Sequence, residues 1–152
     1  LEGLLPFMQM AVGMIPRVSN FLWSKLVPSM LSYKLATRIE INGRLVRVED
    51  FSPFFDGVAR IDVRLLLATL RAAGKHNASD MLKHIQVPTL IVAGERDSFT
   101  PLHLSKEMHH HIPNSELVVI QDGTHAAAIE HPIEISSKVM AFLNRKMAAF
   151  AV

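Results

Sequence analysis

The pattern of apolar and polar positions changes near residue 76. Downstream of that point, Val87-Pro88 leads into Thr89-Leu90-Ile91-Val92-Ala93, a short apolar run of the kind a parallel strand buries on both faces, and Gly94 ends it. Thr100-Pro101 reads as an N-cap followed by proline at the first helical position, opening a helix with Leu104, Met108 and Ile112 as its apolar stripe. Pro113-Asn114 stops that helix before a second strand, Glu116 to Ile120. After a loop, Pro132 starts a last helix whose expected buried face is Ile135, Val139, Phe142, Leu143 and Met147. This order predicts an α/β protein with two parallel strands, flanking helices and a right-handed crossover. Two such strands cannot cover their own faces and edges, so the rest of the sheet is expected upstream.

Before residue 76 the apolar clusters are irregular and prolines are frequent. Leu4 to Met14 and Ser19 to Leu31 predict short helices, kept apart by Pro6, Pro16 and Pro28. Ile39, Ile41, Val46 and Val48 would share one face if Asn42-Gly43 formed a two-residue hairpin turn, but the segment also fits a loop or a helix. Asp62 to Ala73 predicts a helix with Val63, Leu66, Leu67 and Leu70 on one side and Gly74 as its stop. Phe51, Phe54 and Phe55, with Asp56-Gly57, read as an apolar cluster beside a turn. There is no internal repeat and no low-complexity tract.

Composition narrows the function classes. With 49% hydrophobic and 20% charged residues the 152-residue chain is a packing sequence, long enough for one ordinary domain. Its net charge of +2 is scattered, with no basic stripe to track a phosphate backbone, so nucleic acid is not an expected partner. The absence of cysteine removes disulfides, thiolate metal sites and a cysteine nucleophile, and fits a reducing, cytoplasmic setting. No run approaches the roughly 18 apolar residues of a membrane span, and Leu1 to Ile15 lacks the marks of a signal peptide. The chain starts on Leu1 with apolar, Met-rich residues, as an internal fragment of something larger would.

In an open α/β sheet, functional groups gather in the loops after the strands. Here these are Gly94-Glu95-Arg96-Asp97-Ser98-Phe99-Thr100-Pro101 and Asp122-Gly123-Thr124-His125-Ala126-Ala127-Ala128-Ile129-Glu130-His131-Pro132. A serine hydrolase needs an imidazole to take the nucleophile's proton and a carboxylate to orient that imidazole. Asp97 after one strand and His125 after the next can supply the pair. Glu95 and Asp122 are the competing acids, the first expected in solvent and the second too close to His125 in sequence.

Ile85 to Asp97, with Thr100-Pro101, resembles the acid-bearing strand and loop of the α/β-hydrolases, and Gly123-Thr124-His125 with Glu130-His131-Pro132 is similar to their histidine loop. The resemblance covers residues 76–147, and the order acid then histidine matches the family's Ser, Asp, His order. It implies that residues 1–75 are a mostly helical cap or lid and 76–152 the C-terminal βαβα part of the core. Asp97 and His125 would then be catalytic, with the nucleophile and the oxyanion donors upstream. The implied reaction is hydrolysis of a small or medium apolar ester, without cofactor or metal. A dehalogenase, an epoxide hydrolase, a haloperoxidase, an acyltransferase, a carbon–carbon hydrolase or a non-catalytic ligand-binding relative also fits these two residues. Two departures stand out: Thr124 holds a position more often glycine, and no Gly-x-Ser-x-Gly elbow occurs in the chain. The isolated polypeptide is therefore expected to be inactive, and poorly soluble without its missing N-terminal half.

His109-His110-His111 cannot converge on one metal, because consecutive helical residues point about 100° apart. These imidazoles suit a helix C-terminus. His131, held extended before Pro132, reads as structural. Phe7, Met8, Met10, Met14, Phe21, Trp23 and Met30 fit packing between cap and core, and equally an adaptable acyl pocket.

Overall fold

The computed structural model describes residues 5–39 and 41–150. Two compact units form, Leu1–Leu35 with Arg47–Asn77 and Ala36–Val46 with Ala78–Val152.

The first unit is helical: α1 (Leu5–Met14), α2 (Pro16–Leu26), most of α3 (Met30–Ile39), α4 (Val48–Ala59) and α5 (Val63–Lys75). The expected Ser19–Leu31 helix is instead the end of α2 and the start of α3. Pro28, which has no N–H to continue the ladder, falls between them, and the Leu26 carbonyl accepts the Ser29 N–H at 3.1 Å and the Ser29 and Ser32 hydroxyls at 2.5 and 2.7 Å. Asp62 caps α5 by accepting the Arg64 N–H at 2.8 Å and also binds the Asn20 amide at 3.0 Å. Asn20 in turn accepts the Val63 N–H at 2.9 Å, which fixes α2 against the first turn of α5. Val63 and Leu67 form the local core with Val12 and Trp23, whose indole N–H reaches the Val58 carbonyl at 3.0 Å.

Several expected boundaries here are corrected. Gly74 lies inside α5, which ends where His76 turns extended (φ −71°, ψ 131°), so no glycine stop is required. Asp56-Gly57 is part of α4 rather than a turn, and the helix stacks Phe51 against Phe54 and Phe55 at ring separations of 5.2 and 5.4 Å. No hairpin forms around Asn42-Gly43. None of the described glycines adopts the positive φ that turn needs, the Asn42 side chain accepts the Arg44 N–H at 3.2 Å, and Ile41 and Val46 are buried while Ile39 is exposed. Of the Met-rich group, Phe7, Met8, Met10, Met14, Phe21 and Met30 are exposed.

The second unit holds α6 (Ser79–Leu82), β1 (Thr89–Gly94), α7 (Leu102–His111), β2 (Ser115–Ile120), α8 (Ala127–Glu130) and α9 (Pro132–Phe150). The strands are parallel, in register from Thr89 opposite Ser115 to Gly94 opposite Ile120. Helix α7 makes the crossover and packs on both strands, and α9 packs on β1. Ile91, Ala93, Ile112, Ile120 and Phe142 form the buried apolar centre, with Ile120 wholly enclosed. Burial of both strand faces is incomplete: Leu90 and Val92 are half-buried, and so is β2 up to Val119. The helical stripes are narrower than expected, since Leu104, Met108, Leu143 and Met147 are exposed while Ile112 and Phe142 carry the contacts. No helix among the described residues is long and apolar enough to cross a membrane.

Candidate active site

Parallel pairing with Gly94 opposite Ile120 delivers the two chemistry-bearing loops to the same end of the sheet. They are then joined through backbone. The Glu95 N–H donates to the Ile120 carbonyl at 3.0 Å and the Arg96 N–H to the Gly123 carbonyl at 2.8 Å. Asp122, at φ 56°, takes the left-handed conformation that reverses the second loop, a geometry aspartate tolerates better than most residues.

The acid loop closes around its own carboxylate. Asp97 Oδ1 accepts the backbone N–H groups of Phe99 and Thr100 at 2.9 and 2.7 Å, and Oδ2 accepts the Thr100 hydroxyl at 2.7 Å. Thr100 therefore does not cap α7 as its sequence position predicts: Pro101 occupies the N-cap, and the threonine is turned back onto Asp97. The remaining partner of Oδ2 is His125 Nδ1 at 3.0 Å. A carboxylate only accepts, so Nδ1 is the donor, and in the neutral form of the ring with that tautomer Nε2 is the acceptor. Among the described residues nothing binds Nε2. The Asp97 side chain is 10% exposed and that of His125 47%, which places a shielded acid behind an accessible base. The Phe99 ring lies 4.9 Å from the imidazole, and a cavity of about 290 Å³ opens beside the pair, lined by Thr100, Ser105, Thr124 and Ile135 among others.

The competing acids are engaged elsewhere. Glu95 accepts the Asp122 N–H at 3.1 Å, and Asp122 faces Arg96 at 3.6 Å. His131 stands at the start of α9, 3.9 Å from Glu134. In the histidine triplet, His109 meets the Ser115 hydroxyl at 2.8 Å and His111 the Glu107 carbonyl at 3.1 Å. No cluster of three or more possible metal ligands occurs among the described residues.

Burial alone would push the Asp97 carboxyl up, but the hydrogen bonds from the Thr100 N–H and hydroxyl and from His125 outweigh it and hold the group below the usual carboxylate range. A depressed carboxylate contributes stability above its unfolded value of about 3.9 and loses it as pH falls through the lower folded value. Asp97→Asn should therefore reduce the acid dependence of stability below about pH 4. Urea midpoints measured across that range for both proteins check this, and identical pH slopes would count against it. Asp62, held down mainly by Arg64, and Glu116, held down mainly by Lys146, shift in the same direction and remain in both proteins.

In the sequence Glu130 stands only as part of the Glu130-His131-Pro132 motif, with no task of its own. Its side chain is buried and accepts the Thr124 N–H at 2.7 Å, the Thr124 hydroxyl at 2.6 Å and the Asn42 N–H at 2.6 Å. The threonine that departs from the expected glycine is thus the partner of this carboxylate. The spacing of Thr124 and Glu130 around His125 was the available signal, but burial and the Asn42 contact cannot be read from it.

Residues 59–147 match the TAP-like protein family of α/β-hydrolases, and the chain belongs to this family. It is similar to the pimeloyl-[acyl-carrier protein] methyl ester esterase of Neisseria meningitidis serogroup C, with 36% identity over 66 residues, 43% of this chain and 26% of that protein. It is also similar to a 2-hydroxy-6-oxononadienedioate/2-hydroxy-6-oxononatrienedioate hydrolase of a Pseudomonas species, 34% identical over 74 residues, 49% of this chain and 26% of the relative. Among solved structures, MenH from S. aureus superposes with a TM-score of 0.62 at 22% identity, covering 97% of this chain and 55% of MenH, which bears on the fold alone. The chain thus spans about half of that structure and the match about a quarter of each of those two relatives.

Proposed function

We propose that the chain is the acid- and histidine-bearing part of a serine esterase acting on a small or medium apolar ester, with Leu1–Leu35 and Arg47–Asn77 serving as its cap. The observation that supports this most is the 3.0 Å contact of His125 Nδ1 with Asp97, at the ends of neighbouring parallel strands and beside a cavity. In this reading Nε2 takes the proton of a serine hydroxyl as it attacks the ester carbonyl, and then returns it to the departing alcohol. Asp97 keeps the imidazole in the required tautomer and stabilises the imidazolium that forms. The serine and the oxyanion donors lie upstream, at the strand-to-helix elbow of the fold. The ester-hydrolase name of the Neisseria relative agrees with this chemistry.

The nucleophile decides between serine and aspartate chemistry. A fluorophosphonate probe should label a single serine of the full-length protein, and the label should vanish in His125→Ala. Failure of the wild type to label would sink the serine reading, and trapping of an ester-linked aspartate would replace it with a dehalogenase or epoxide-hydrolase type of reaction.

A further inference from the structure

We propose that Glu130 is a positioning residue for His125, acting through the backbone on either side of it. The role rests on the esterase reading, but the clamp has a readout of its own.

Glu130 ends the short helix α8, and the residue is 7% exposed. Among the described residues it receives three hydrogen bonds, from two backbone N–H groups and one hydroxyl, as an acceptor-only group can. Among the described residues no lysine or arginine pairs with it. A buried carboxylate without a cation is costly unless its lone pairs are used, and here they are used on one short piece of chain. The Thr124 N–H and hydroxyl both point to Glu130. The same hydroxyl oxygen accepts the Ala126 N–H at 3.2 Å. One chain of bonds, from Ala126 through Thr124 to Glu130, therefore holds the residue before His125 and the residue after it. The third bond, from the Asn42 N–H, ties this bracket to the segment 36–46 of the same unit.

The His125 ring itself is half-exposed, with Phe99 at 4.9 Å and the Thr100 hydroxyl 3.4 Å from Nδ1. With Asp97 fixed by Thr100, the distance between them varies with where the 124–126 backbone lies. A glutamine at 130 can offer one carbonyl oxygen in place of two, and its amide would face donors with a donor. The loop would then shift, and displacements on the order of 1 Å are enough to cost about 10²-fold in rate.

The test uses the full-length protein and the variants Glu130→Gln, Thr124→Val and Thr124→Ser. Glu130→Gln and Thr124→Val are expected to lower kcat about 10²-fold with KM changed less than about twofold, assayed below each variant's melting temperature. Thr124→Ser should recover most of what Thr124→Val loses, because it restores the hydroxyl. Nitrogen-15 spectra of histidine-labelled protein supply the second readout. The wild type should show a protected, downfield Nδ1 proton on His125, and Glu130→Gln should lose it. If Glu130→Gln does not fold, Thr124→Val carries both measurements, since it removes the bonds of one hydroxyl and leaves the Glu130 carboxylate in place. A folded variant that melts earlier but keeps wild-type kcat and the Nδ1 signal overturns the proposal and leaves Glu130 a purely structural group. A wild type without ester turnover would defeat the esterase reading instead, and the Nδ1 signal would still decide the clamp.

Discussion

His125→Ala should reduce ester turnover by the full-length protein about 10⁶-fold in kcat, while its melting temperature stays close to that of the wild type. Without the imidazole no described group near Asp97 can accept the serine proton. Glu95 and Asp122 are committed to the opposite loop and to Arg96. Stability should change little because the ring is half-exposed and its removal leaves no large buried void. Asp97→Asn should cost less, about 10⁴-fold, because the base remains but its tautomer is no longer enforced. Progress curves with a short-chain p-nitrophenyl ester, set beside thermal melts of the same samples, make the comparison. Retention of turnover within about tenfold by His125→Ala would remove this residue from the mechanism.

Much of the second unit was legible because its signals are local. Gly94 and Pro113-Asn114 punctuate two short apolar runs, and the chain order strand, helix, strand leaves one favoured connection. Asp97 and His125 were legible for the same reason: each sits a few residues past its own strand, and parallel pairing does the rest. What could not be read depends on which neighbours arrive. Apolar periodicity marks residues able to be buried, so Leu143 and Met147 look like Phe142 although, of the three, Phe142 alone is buried. Thr100 fits a helix cap by position, yet a nearby carboxylate competes for its hydroxyl and wins it. Asn42-Gly43 carries a hairpin signal, and the Leu45 N–H does close a turn on the Asn42 carbonyl at 2.9 Å, but Ile41 and Val46 are buried and the chain runs on into α4 instead of a second strand. Glu130 is the instructive case: the sequence offers it only as part of the Glu130-His131-Pro132 motif, and its burial is intelligible only once three donors converge on it.

Gly94→Ala should destabilise the fold by about 3 kcal/mol or more and, in the fraction that remains folded, weaken the His125–Asp97 contact. The glycine is not required for an unusual φ, since none of the described glycines has one that is positive. It is required for space. A Cβ there would stand 2.4 Å from the Thr124 carbonyl oxygen and 2.6 and 2.8 Å from the Gly123 carbonyl oxygen and carbon. All three obstacles are backbone, so no side-chain rotation can relieve them. The histidine loop must move off the end of β1, and with it the bond from the Arg96 N–H to the Gly123 carbonyl and the register of Thr124 with Glu130. Gly57, where an added Cβ meets nothing within 4 Å, serves as the control at an open helical position. Gly57→Ala should be neutral or slightly stabilising through helix propensity. Urea unfolding of the two variants beside the wild type measures the difference. Equal midpoints for Gly94→Ala and the wild type would mean that the two loops are not in the close contact on which the Asp97–His125 geometry depends.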